Sequence, residues 1–234
     1  MVNVSDQRPG GLPDVARGDQ PPLAYPTVLR ALGGCAVRVV TLLGRRRMHL
    51  PTSWVGTRLR FADGTSAPVY RETAIDYGDA PARCVLVVTF TLRWVRGWGH
   101  AVFRAESLLN TVLFAGFPGL VSKLWLANDS LGRYRGVYEW DGPERADQYA
   151  RALWRVLALV SVLGSIHYVV LPGQARDEFL REPQATGELA PEQPAWWRVV
   201  ECSLRRRLTS LWSAPARPGW RWRCRRARTA RGCG

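Results

Sequence analysis

The sequence predicts an α+β fold: a ferredoxin-like βαββαβ unit over residues 82–173, with a four-stranded antiparallel sheet. Three observations predict it. A nearly unbroken β-branched and aromatic run, CVLVVTFTLRW, opens at Cys84, as in a central strand buried on both faces. Two stretches carry apolar residues at helical spacing, Ala105, Leu108, Leu109 and Val112 in one, Ala146, Tyr149, Ala150, Leu153, Val156, Leu157 and Val160 in the other. Between them, Leu120 to Trp140 reads as two alternating runs around a polar loop.

Each element has its punctuation. Gly116 and Pro118 stop the first helix. Asp141 reads as the cap of the second, with Glu144 three residues on and Pro143 in the first turn. Gly164 ends that helix and SIHYVVLPG supplies the last strand. The uncharged stretch Val156 to Leu171 is thus a helix end, a turn and a strand; it is short for a membrane span, and a cytoplasmic protein is expected. Right-handed crossovers put both helices on one sheet face. The other face is bare and predicts a homodimer that covers it with a second copy.

The flanks differ in kind. Residues 1–25 are rich in Gly, Pro, Asp and Gln and read as disordered. Residues 26–80 read as an accessory helix and a β-hairpin turning at Asp63-Gly64. Val28, Leu32, Ala36, Val39, Val40 and Leu43 fall on a helical stripe, followed by an Arg triplet. That helix either docks on the domain or lies on an anionic membrane surface, and Gly33-Gly34 weakens it. Residues 174–234 read as a helical segment, with Trp196, Val199, Val200 and Leu204 inward, and an Arg/Trp-rich basic tail.

The formal charge is +14, and from Trp196 onward eleven arginines face one acid, Glu201. The charge therefore speaks about the tail, which could meet nucleic acid or an anionic membrane, and not about the core. Five scattered cysteines and three scattered histidines give neither a disulfide framework nor a metal-ligand spacing. There is no Gly-rich phosphate loop and no nucleophile elbow, so no cofactor or metal is expected.

The order of elements, with GFPGLVSKLWLAND and YRGVYEWDGPERADQYA, resembles the dimeric α+β barrel proteins. The likeness is to the putative monooxygenase branch of the antibiotic-biosynthesis-monooxygenase-like group. Gly116 to Gly119, Lys123 with Trp125, and Gly136, Tyr138 and Trp140 before Asp141 carry it. The resemblance implies a homodimer, a small, often aromatic ligand, and in some members oxidation by O₂ without metal or flavin. A putative monooxygenase or oxidoreductase is therefore one expectation, and a non-catalytic ligand-binding or structural dimer the other.

The loop Asp129-Ser130-Leu131-Gly132 predicts a register in which Trp125 faces Gly136, Lys123 faces Tyr138 and Val121 faces Trp140. One face then carries Val121, Lys123, Trp125, Tyr134, Tyr138 and Trp140. These aromatics are either core or the wall of a pocket for a flat ligand. The expected binding residues are Lys123, Trp125, Tyr138, Trp140 and Asn110. His167 on the last strand is the candidate base that, with Trp125 and Tyr138, would orient and deprotonate a substrate.

Overall fold

A computed structural model describes residues 16–17, 21–76, 78–95, 99, 115–181 and 196–203. The strands are β1 (Ala16–Arg17), β2 (Met48–His49), β3 (Arg58–Phe61), β4 (Ser66–Ile75), β5 (Arg83–Thr91), β6 (Leu120–Leu126), β7 (Arg133–Asp141), β8 (His167–Pro172) and β9 (Val199–Ser203). The helices are α1 (Tyr25–Gly44), α2 (Pro143–Ala158) and α3 (Arg176–Arg181).

These elements correct the predicted fold class. In place of a four-stranded ferredoxin-like sheet, nine strands form one antiparallel sheet that curls into a half-barrel. Its order is β1-β8-β5-β7-β6-β4-β3-β9, with β2 pairing beside β4. The strands foreseen within 82–173 are β5 to β8, side by side. What overturns the class is the continuation past β6. The hairpin read as an accessory belongs to the sheet itself.

Strand β4 makes the continuation possible because it serves two partners. Ser66–Pro68 lies opposite β3, and Val69–Ala74 opposite β6, with a register break between Val69 and Arg71. The extra residue, Tyr70, is a bulge, which bends a strand and reverses its alternation. Ala67 and Val69 accordingly join the same core face as Glu72 and Ala74. The turn before β4 follows its sequence cue: Gly64 has φ +79°, and Asp63 Oδ1 accepts from the Thr65 amide and hydroxyl.

The curl has two faces. On the concave face Leu59 and Phe61 of β3, Val199 of β9, and Phe179 and Leu180 of α3 close over Val85, Val87, Leu124 and Val137. The chain thereby covers the face that the sequence left bare, and the packing argument for a second copy falls away. The predicted helix around Trp196 is instead β9, because Val199, Val200 and their neighbours find open edge positions along β3. Within the stretch read as disordered, Ala16–Arg17 pairs with Val170–Val169 of β8.

On the convex face α1 and α2 cover Leu86, Val88, Tyr138, Trp140 and Val170. Helix α2 buries Ala146, Tyr149, Ala150, Leu153 and Leu157, as its spacing predicts. Its start differs: Gly142 is the N-cap, and Asp141 makes no cap bond. Asp141 instead ends β7, accepting from the Ala82 amide and from Arg145. Helix α1 runs unbroken through Gly33-Gly34 and buries Val28, Cys35, Val39 and Leu42. At Gly116 an added Cβ would lie 2.1 Å from the Cys35 carbonyl oxygen, so only glycine admits α1 there. The helix predicted around Ala105 to Val112 lies outside the described residues.

Candidate functional site

The β6–β7 hairpin forms with the predicted loop: Asp129 donates its amide to the Arg133 carbonyl, and Gly132 to that of Asp129. The observed register pairs Lys123 with Tyr138 and Trp125 with Gly136, as expected. Beyond Lys123 it departs. A break between Leu120 and Ser122 sets Leu120, not Val121, opposite Trp140. Leu120 consequently turns to the convex core while Ser122, Leu124 and Leu126 face inward.

Lys123, Trp125 and Tyr138 therefore share the convex face, and β4 completes their surroundings. Thr73 lies opposite Lys123, and Arg71 opposite Trp125. The indole Nε1 of Trp125 donates to Thr73 Oγ1 at 3.2 Å, which fixes the ring. The amine Nζ of Lys123 lies 3.1 Å from the centroid of Trp125 and 4.6 Å from that of Tyr138. The Arg71 guanidinium is 5.4 Å from the same indole centroid. Gly136 creates the room: an added Cβ would stand 2.7 Å from Tyr138 Cε2. The Tyr138 ring thus lies over the bare glycine.

A cavity of about 40 Å³ opens here, bordered by Tyr70, Phe90, Lys123, Trp125, Tyr134 and Tyr138, with Leu153 and Leu157 of α2. At roughly 10–15 Å³ per water-sized probe, that is space for a few small atoms, not for fused rings. Lys123 is 6% exposed, and among the described residues no carboxylate pairs with it. Burial, and then the nearby Arg71 charge, hold its amine well below the usual lysine range. Tyr138 is shifted the other way: burial raises its phenol, and its hydroxyl accepts a long 3.4 Å bond from Tyr149. The site thus combines an amine and phenols whose charged forms burial disfavours.

No protein-family model matches the chain, and no curated protein is similar to it. The monooxygenase resemblance therefore has no support beyond the motifs that suggested it, and the site stands on its own geometry.

The expected site residues divide cleanly. Lys123, Trp125 and Tyr138 come together. Trp140 is fully buried against Tyr149, with ring centroids 4.8 Å apart, and does not border the cavity. His167 is on the other side of the sheet. It pairs with Thr89, whose alternation follows Val85 and Val87 on the concave face, and its exposed ring lies 6.2 Å from that of Trp196. The sheet thus separates His167 from Trp125 and Tyr138. Asn110 lies outside the described residues. Tyr70, Arg71 and Thr73 were not foreseen. Their signal in the sequence is the aromatic-basic-acidic-polar run YRET, where strict alternation breaks.

Proposed function

We propose that this protein binds a compact carbonyl compound beside Lys123, as a small-molecule-binding protein. The observation that carries the reading is the chain's single lysine, buried against two aromatic faces on the edge of a cavity, with no counter-charge among the described residues. Burial and the nearby Arg71 charge disfavour the ammonium there and so favour the amine with its lone pair. It can attack a carbonyl carbon: a C–N bond forms, both amine hydrogens and the carbonyl oxygen leave as water, and an imine remains. No oxidant or reductant is needed. Trp125 and Tyr138 would flank the bound carbon on apolar ring faces.

The cavity's size favours a ligand of a few heavy atoms over the flat aromatic or polyketide-like substrate of an oxygenase. The position of His167 leaves such an oxidation without its expected base. A second reading rests on the same closeness of packing: Tyr138 over Gly136 makes Lys123 a filler of the aromatic core, in a non-catalytic protein.

Reductive trapping separates the two. The folded chain is incubated at pH 7 with acetaldehyde and cyanoborohydride, then digested and mapped by mass. Carbonyl binding predicts an ethyl adduct on Lys123 in the folded protein, formed faster than on a free lysine side chain and still formed at pH 6. Modification of Lys123 only after unfolding in urea would leave the filler reading.

A further inference from the structure

Helix α1 is apolar on two sides, and the domain uses only one. Val28, Cys35, Val39 and Leu42 pack into the convex core. On the outward side Leu29, Gly33, Ala36, Val40 and Leu43 follow each other at steps of three and four, which return to one face, and Val37 borders it. Val37 and Val40 are 71% and 70% exposed. The helix is 20 residues long with a mean hydropathy of 1.5, enough by length and composition to cross a membrane. Its buried side and the Cys35–Gly116 contact hold it to the domain instead.

The arginines lie where a lipid surface would use them. Arg30 borders the apolar face, Arg38 lies further round the helix toward Leu42, and Arg45, Arg46 and Arg47 crowd the helix end. Arg38, Arg45 and Arg47, with Thr41, line an open groove of about 360 Å³ along α1. Exposed apolar area beside guanidinium groups, with no acid anywhere in the helix, complements a phospholipid leaflet in both its chains and its charge. A protein partner would need matching acids, whereas anionic headgroups supply phosphates for the groove. We infer that α1 is an interfacial docking helix, which seats its Leu29–Leu43 face in an anionic bilayer with phosphate groups in the Arg38–Arg47 groove.

Flotation of the full chain with vesicles tests this, comparing neutral phosphatidylcholine with mixtures containing one-third phosphatidylserine. The anionic vesicles should carry the protein, and added salt should weaken binding. V37Q with V40Q should lower the partition by about tenfold, and R45Q with R46Q by a similar factor. These side chains are exposed, and an unchanged thermal transition confirms that the variants fold. Neutralising Arg221, Arg223, Arg225 and Arg226 of the tail should leave the effect of V37Q with V40Q intact. Equal binding of wild type and V37Q/V40Q overturns the inference, as does no vesicle binding. So does a wild-type dimer that V37Q/V40Q dissociates, since a second copy would then be the occupant.

Discussion

The two faces of the curled sheet treat buried charge in opposite ways. On the concave face the buried guanidinium groups of Arg135 and Arg176 meet carboxylates. Arg135, fully buried, donates to Asp129 and Asp63 at 2.8 Å each, to Thr65 Oγ1 at 3.0 Å and to the Trp196 carbonyl at 3.1 Å. Arg176 donates to Glu72 at 2.9 Å and to Asp177 at 2.8 Å. Both networks tie distant segments together: the β6–β7 loop, the β3–β4 turn and the approach to β9 in one case, β4 and α3 in the other. On the convex face Lys123 has, among the described residues, ring faces and the like-charged Arg71 for neighbours. The lesson is one of role. Paired buried charges staple a curl, while an amine with no counter-charge among the described residues is where reactivity can reside.

Breaking a staple should have the largest effect. Asp129→Ala leaves the Arg135 guanidinium buried with one carboxylate fewer and also removes acceptors for the Leu131 and Arg133 amides. A loss of about 3–5 kcal/mol is expected in urea unfolding at pH 7. An effect near zero would mean that the network is ornamental and the contrast between the faces false.

Lys123→Met should move stability the other way, by roughly 1–3 kcal/mol of gain at pH 7. The sign follows from linkage. The folded chain holds Lys123 below its ordinary value, so between that depressed value and about 10.4 the unfolded chain binds the extra proton. Wild-type stability therefore rises with pH across that window, and the gain from Met shrinks toward pH 10.5. Urea melts at pH 7 and pH 10.5 check both statements. A destabilised Lys123→Met protein at pH 7 would show that the amine has a partner of its own.

The smallest effect concerns α1. Gly34 is exposed, and an added Cβ meets nothing within 4 Å, so Gly34→Ala should stabilise by about 0.5–1 kcal/mol through helix propensity. A gain in thermal unfolding confirms that α1 melts with the domain. No change would set it apart as a separately fraying unit.

Much of the convex site was legible because it is local. A four-residue loop defines its own register, so Lys123 opposite Tyr138 and Trp125 opposite Gly136 follow from counting. The count failed at Val121, since a bulge leaves no mark in the alternation of apolar residues. The concave closure was illegible for a different reason. Strand β4 pairs with β6 across some fifty residues, and no spacing rule reports a partner that distant. His167 shows the cost: alternation sorts a strand into two faces, but only the neighbours Thr89 and Val169 tell which is which. The tail misled through composition. Trp and Arg around Val199 and Val200 obscured a five-residue strand whose identity comes from the open edge of β3.

That edge has a kinetic consequence. Strand β3 pairs with β9, joining Leu59 to Cys202, so the inner apolar layer is not sealed until the chain has been made beyond residue 203. On the ribosome, β3 to β8 emerge while Phe179, Leu180 and Val199, which complete the cover over Val85, Leu124 and Val137, are still to come. Loop closure over that separation is slow, and the waiting sheet edge is open to pairing with other chains. Completion of the fold thus waits for β9, and the burst of aggregation-prone surface should end only when that strand arrives.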